Sequence, residues 1–272
     1  IWYETVHGEK EAYSRAVRAY LEGGREDRED FSYQQYHHYT ATAKLLNYSY
    51  GHAVKWAAVI LAQQIYIRLR GAQPRDSYVF GGWIPPILRS PSNYRYVVQH
   101  GVKPAQLKGS KIVYFPLHQE PESSLLIESR EFNNSMEIVA WVSKSLPADA
   151  ALVVKENPWS FGVRSRRYYR NLVKIPNAFL AHPEVSSLEW IQRSRVVVTI
   201  TGTAGFEAIY FQRPVLSYGK HQIINHLPTV RYANSFFNTR EAVQELLAIR
   251  PGEWLLTGSE RMKQRPIRVL VD

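Results

Sequence analysis

The chain of 272 residues contains no cysteine and only two methionines. Without thiols it can have no disulfide scaffold, no thiolate metal site and no thiol nucleophile. Long hydrophobic runs are also missing. Ala53 to Leu69 comes nearest, and Lys55, Gln63, Gln64 and Arg68 interrupt it, so no membrane span is expected. No charged-then-apolar leader opens the sequence, and its start at Ile1 suggests part of a longer reading frame. Neither a Walker loop, a G-x-S-x-G elbow nor an H-E-x-x-H spacing occurs, so no bound metal and no cofactor are expected.

What is present is ordinary globular composition, with 45% hydrophobic and 21% charged residues. The 34 Lys+Arg against 24 Asp+Glu give a net charge of +10. Residues 1–110 hold 14 basic and 9 acidic residues, so the excess is shared about equally between the two portions of the chain. The densest basic group is Arg164, Arg166, Arg167 and Arg170. Such spread favours an anionic small molecule or an anionic membrane surface as partner over a nucleic-acid tract.

The character of the sequence changes near residue 110. After it, short apolar runs alternate with amphipathic stretches: 112–117, 151–155, 177–181, 196–200 and 214–218. Runs apolar on both faces predict buried parallel strands, and the alternation predicts an α/β fold with right-handed crossovers. A last helix is expected from an N-cap at Thr239 through Leu247. Before residue 110 the pattern is mainly helical and tyrosine-rich. Glu9 to Leu21 predicts a helix, Thr42 to Arg70 predicts one helix or two broken at Gly51, and the prolines and glycines of 72–110 predict loop or linker. Tyr33, Tyr36, Tyr39, Tyr48 and Tyr50, with His37 and His38, form an aromatic patch whose flat faces can stack on sugar rings or bases, but whose more usual role is to wedge helices together with the hydroxyls at the rim. The expected domains are therefore 1–110 and 111–272.

In an open parallel sheet, ligands bind where the strands end. Five consecutive strand ends here carry polar loops: His118 to Glu122, Lys155 to Pro158, His182 to Glu184, Thr201 to Gly205, and Gly219 to His221. The turn Thr201-Gly202-Thr203-Ala204-Gly205 leaves a strand and opens a helix. Its glycines let a phosphate approach free backbone N–H groups, and the threonines add hydroxyl donors. Glu207, one helical turn further on, is placed to accept hydrogen bonds from a ribose diol or to be an ordinary surface residue. His118 and Glu122 offer a proton donor and an acceptor, Lys155 a counter-charge, and Asn157 an amide aimed into the cleft; each is also readable as plain turn or surface chemistry.

Taken together, residues 111–221 resemble the C-terminal half of the capsule and surface-polysaccharide biosynthesis proteins that include the bacterial β-Kdo transferases. The resemblance runs through Tyr114-Phe115-Pro116-Leu117-His118 with Pro121-Glu122, then Val154-Lys155-Glu156-Asn157-Pro158 and Ile175-Pro176-Asn177. It continues through Val198 to Ala208 and Arg213-Pro214-Val215-Leu216. It implies a GT-B-like fold, with a Rossmann-like C-terminal domain beside a mainly helical, incomplete N-terminal part on the acceptor side. It further implies an inverting, metal-independent glycosyltransferase that uses a CMP-linked, Kdo-like acidic sugar in capsular or lipopolysaccharide synthesis. The donor would be held by His118, Glu122, Lys155, Asn157, Thr201, Gly202, Thr203 and Glu207. The acceptor would be a glycan or glycolipid. The location would be cytoplasmic, at the inner face of the plasma membrane if peripheral contact is made.

The sequence departs from the family pattern twice. Gln-Pro-Glu becomes Glu120-Pro121-Glu122, and His-Pro becomes Asn157-Pro158, which removes a group able to carry charge. The family's catalytic base is expected before residue 110, where Asp27, Asp30 and Asp76 are the candidates. Two further readings stay open, a non-catalytic nucleotide-sugar or glycan-binding subunit and a UDP-sugar epimerase on a similar scaffold.

Overall fold

The computed structural model describes residues 48–71, 77–118, 129–132 and 134–249. The helix expected over Glu9 to Leu21 and the tyrosines Tyr33, Tyr36 and Tyr39 lie outside those residues. Two helices come first, α1 (Tyr50–Leu69) and α2 (Ser77–His100). There follow β1 (Lys111–Pro116), α3 (Ser135–Ser145), β2 (Ala150–Lys155), α4 (Arg166–Leu172) and β3 (Ala178–Leu180). The remainder is α5 (Ser187–Arg193), β4 (Val196–Thr199), α6 (Ala204–Tyr210), β5 (Val215–Ser217), β6 (Val230–Tyr232) and α7 (Phe236–Ala248).

All six strands pair in parallel, in the order β3-β2-β1-β4-β5-β6. The α/β expectation is met, and the five expected strands are all present. The sixth, at Val230–Tyr232, is three residues long and carries no apolar run that would mark it. Alternate residues of β1 feed two separate cores. Val113 and Phe115 pack with Val139, Val142, Leu172 and Leu246 on one face, and Ile112 and Tyr114 with Trp190, Ile191 and Ala208 on the other. Helices α3, α4 and α7 therefore cover the first face and α5 and α6 the second, the arrangement that makes strands apolar on both sides.

Two expectations are corrected. Residues 77–100, read as loop, are a helix of 24 residues that contains Pro85, Pro86 and Pro91. A proline inside a helix removes one N–H and orphans the carbonyl four residues earlier. For Pro91 that carbonyl belongs to Ile87, and the Ser90 hydroxyl donates to it at 2.8 Å. Packing completes the repair, because Pro91, Asn93, Tyr96 and Val97 are buried, and buried Asn93 donates through Nδ2 to the carbonyls of Phe161 and Arg164 (2.6 and 2.9 Å). The last helix begins a turn earlier than expected, with Ser235 as N-cap. Thr239 is buried within it, and its hydroxyl is shared with the Ser235 carbonyl and the Tyr218 hydroxyl (both 2.8 Å). Of the alternatives for Thr42 to Arg70, the described part is a helix that starts at Tyr50, capped by the Ser49 side chain. No described helix is long and apolar enough to cross a membrane.

Tyr48 behaves as a wedge. It stacks on Tyr94 at 4.4 Å between ring centroids, meets Phe161 edge-on, and donates to the Pro158 carbonyl at 2.6 Å. The same contact surface brings the Pro86 backbone against Gly162, where any Cβ would overlap it. Gly162→Ala is therefore expected to force α2 off the loop and destabilise the fold by about 1–3 kcal/mol. A thermal melt unchanged from the parent chain would contradict this packing.

Candidate functional site

The strand order reverses between β1 and β4, since β1 pairs β2 on one side and β4 on the other. A crevice opens at such a switch point because the loops leaving the two strands diverge. Three of the candidate segments meet at this edge: His118 after β1, Lys155 to Pro158 at and after β2, and Thr201 to Glu207 after β4. Glu122 lies outside the described residues, as do Asp27, Asp30 and Asp76.

His118 is buried, and its ring bridges the switch point. The N–H groups of Ile200 and Thr201 donate to Nε2 at 3.3 and 3.4 Å. With Nε2 accepting, the proton of the neutral ring resides on Nδ1. The ring also explains the first glycine of the turn: a Cβ on Gly202 would stand 2.8 Å from His118 Cε1. Sequence reasoning expects outward-facing N–H groups along this turn, and the structure narrows them. The Thr201 amide is directed at His118, and the Gly202 amide donates to Thr199 Oγ1 at 3.1 Å. The amides of Thr203 and Ala204 are what the start of α6 presents.

Glu207 is not a surface carboxylate. Its Oε1 accepts from the Thr203 hydroxyl at 3.3 Å, whereas its Oε2 is buried with no hydrogen-bond partner among the described residues. Burial raises its pKa to about 6, opposed by the Thr203 hydrogen bond. Asn157 uses its side-chain oxygen to accept from the Trp159 N–H at 3.0 Å, capping the short turn Pro158–Ser160. Its side-chain NH2 is the group left to donate elsewhere. Lys155 is not brought to the Thr201–Thr203 turn: its buried Nζ donates to the Pro183 carbonyl, beyond β3, at 3.1 Å. His182 accepts at Nδ1 from the Glu184 N–H (3.4 Å), a local turn contact.

The group that organises this edge was missed by sequence reasoning. Glu156, buried, accepts at Oε1 from Arg164 (2.5 Å) and from the Asn157 N–H (2.7 Å), and at Oε2 from the Tyr169 hydroxyl (2.7 Å). The second arm of Arg164 donates to the His118 carbonyl at 2.7 Å. The basic group of the sequence is thereby divided. Arg164 is an internal ion-pair partner, Arg166 donates to Ser92 and stacks over Tyr96, and only Arg167 and Arg170 are exposed. A carboxylate next to Asn-Pro followed eight residues later by arginine was the available signal, but its chemistry is directed inward. Among the described residues no group of three or more His, Asp or Glu is placed to hold a metal ion.

Residues 66–223 match the sequence model of the capsule polysaccharide biosynthesis protein family. The chain belongs to that family. No curated protein sequence matches it. Solved structures similar to this member include the β-Kdo 2,7-transferase KpsC of Thermosulfurimonas dismutans, with 20% identity, 57% of this chain and 51% of that one covered, and a TM-score of 0.40. The β-Kdo 2,4-transferase of the same organism's KpsC is 10% identical over 57% of this chain and 53% of that one, with a TM-score of 0.36. A UDP-GlcNAc 2-epimerase of Methanocaldococcus jannaschii is 13% identical over 59% and 46%, with a TM-score of 0.40. The chain spans about half the length of these structures.

Removing Arg164 alone leaves Glu156 buried without its counter-charge. Arg164→Ala is expected to lose about 3–5 kcal/mol, and adding Glu156→Gln to recover part of it; urea denaturation of both variants reads this, and equal stability of the single variant and the parent would contradict it. Lys155 supplies a pH signature. Burial lowers its pKa to about 8, partly offset by Glu156. Between about 8 and the ordinary 10.5 the unfolded chain holds more protons than the folded one. Stability contributed by this residue therefore rises with pH across that window. Lys155→Met should flatten the rise.

Proposed function

We propose that the switch-point crevice binds a nucleotide-activated acidic sugar, a CMP-linked Kdo-like donor, and transfers the sugar to a glycan or glycolipid acceptor with inversion. The observation that carries this reading lies at the β1/β4 switch point of a capsule-biosynthesis family member: a glycine turn after β4, braced by His118 from β1, leads into a half-buried carboxylate, Glu207, one oxygen of which has no partner among the described residues. A nucleotide offers what both lack, a phosphate for the turn and a ribose diol for the carboxylate.

The acceptor oxygen attacks the anomeric carbon from the face opposite the phosphate, and the bond from that carbon to the phosphate oxygen breaks. CMP departs with the electron pair, and the acceptor proton goes to a carboxylate. Asp27, Asp30 and Asp76 are the positions proposed for that base, on an acceptor side formed by residues 1–110. The charge developing on the phosphate is met by the amides of Thr203 and Ala204 and the Asn157 NH2, joined by the Thr201 and Thr203 hydroxyls as they turn to the ligand. Transfer needs no metal in this scheme.

Binding has a local consequence. A hydroxyl has one proton to donate, so Thr203 must release Glu207 to serve the phosphate. Glu207 Oε1 is then open to a ribose hydroxyl, and a small shift of the carboxylate brings the unpartnered Oε2 to the second. Cytidylate affinity is accordingly expected to rise as Glu207 ionises near pH 6, and Glu207→Gln to leave only the part of that dependence that the phosphate's own ionisation supplies. Thr203→Val should weaken CMP by roughly 5–10-fold, the effect of one hydrogen bond. Calorimetry with CMP, and with 2′-deoxy-CMP as the control lacking one hydroxyl, measures both. Affinity unchanged in Thr203→Val would remove the phosphate from this turn.

A second reading is favoured by Asn157, which stands where the family pattern has histidine and cannot carry a proton. On that reading the chain binds the nucleotide sugar without transferring it. Labelled CMP-sugar retained intact after incubation with acceptor would support it, and release of free CMP would exclude it.

A further inference from the structure

Helix α1 is apolar almost all the way round, yet among the described residues only one stripe of it is buried. Ala53 and Ile60 are buried, with Ala57, Gln64 and Ile67 half-buried on the same side, and α2 is the helix that packs there. Positions i, i+4, i+7, i+11 and i+14 form a single face of a helix. On the opposite side Val54, Val59, Leu61, Ile65, Tyr66 and Leu69 are exposed, from 39% for Val59 to 82% for Leu69. A helix apolar on all faces is ordinarily enclosed, and contiguous exposed apolar surface marks an interaction site.

Charge identifies the occupant. Residues 50–71 contain no acidic side chain, and residues 48–110 hold eight lysines and arginines against the single Asp76. Residues 48–110 thus carry most of the chain's positive excess, a feature hidden when residues 1–110 are counted as one. Lys55, Arg68 and Arg70 are exposed on α1 itself. Two arginines are held directly over exposed aromatic rings, Arg70 at 4.9 Å from the Tyr66 centroid and Arg95 at 4.8 Å from that of Tyr50. Trp56, Tyr50 and Tyr66 are half-exposed side chains with an apolar body and a polar tip, suited to the boundary between headgroups and acyl chains. An acidic protein surface would satisfy the cations and leave Leu61, Ile65 and Leu69 in water. A neutral apolar partner would do the reverse. An anionic bilayer surface satisfies both, with the helix lying in the plane of the interface.

We infer that the face of α1 turned away from α2 docks this protein on a membrane surface rich in anionic headgroups, Leu61, Ile65 and Leu69 entering the headgroup–acyl boundary and Lys55, Arg68 and Arg70 meeting the phosphates. This rests on α1 and its charge alone and stands or falls separately from the nucleotide site. Flotation of the full chain with phosphatidylcholine vesicles, with and without phosphatidylglycerol, tests it. Binding is expected only with phosphatidylglycerol, and to fall as salt is raised. Lys55→Gln with Arg68→Gln, both exposed, should weaken partitioning by roughly fivefold per charge removed while leaving the thermal melt in place. Leu61→Glu with Ile65→Glu should weaken it by roughly tenfold or more. Absence of flotation at low salt, or flotation that neither pair of substitutions alters, would overturn the inference. So would a lipid-free dimer dissolved by Leu61→Glu with Ile65→Glu, which would assign the face to a second copy of the chain.

Discussion

Arg164 joins the carboxyl ends of two neighbouring strands to each other through its guanidinium, and to the helix that lies outside the sheet through its carbonyl. One arm reaches the Glu156 carboxylate after β2, the other the His118 carbonyl after β1, and the Arg164 carbonyl accepts from Asn93 of α2. Both charges are buried, so each depends on the other: the attraction between them offsets the loss of water only while every remaining donor and acceptor is matched. Tyr169 and the Asn157 amide complete the Glu156 side. A well-packed apolar cluster would hold the chain together at least as well. What the ion pair adds is directional, because hydrogen bonds with fixed geometry set where the β1 loop ends and where His118 points.

From that anchor the rest of the edge follows. His118, fixed at its carbonyl by Arg164, has its ring against the amides of Ile200 and Thr201, and so transmits the position of β1 to the turn after β4. The glycine at 202 is required by that ring. Thr199 steadies the turn from below through its hydroxyl. The turn is thus held by several hydrogen bonds, while the Thr203–Glu207 hydrogen bond is longer, at 3.3 Å. Such a division is what the proposed nucleotide site would need, preorganised toward phosphate and yielding toward ribose.

The sheet was legible because its strands are buried on both faces, and a buried run of Val, Ile and Leu leaves few other interpretations. The strand-end loops were legible for the same topological reason. Helix α2 was not, since its prolines argue against a helix locally and only a tertiary arrangement, the Ser90 hydroxyl on the carbonyl that Pro91 orphans and the Asn93 clamp, overrides them. Thr239 was mistaken for a cap because a buried threonine bonded to a helix carbonyl has the same sequence signature as one at a helix start. Glu156 and Arg164 escaped notice because charged residues were sought as solvent-facing chemistry, and this pair is internal. Lys155, read as a phosphate counter-charge or a surface lysine, is neither at the turn nor at the surface: the Pro183 carbonyl draws its buried ammonium toward β3.

The account rests on a nucleotide lying across the β1/β4 switch point. A crystal structure of the chain with CMP tests this most directly. It should show the phosphate against the amides of Thr203 and Ala204, the Thr203–Glu207 hydrogen bond broken, and the ribose diol on the Glu207 carboxylate. A nucleotide bound elsewhere, or one in the crevice with Thr203 still bonded to Glu207 and the ribose turned to solvent, would contradict it.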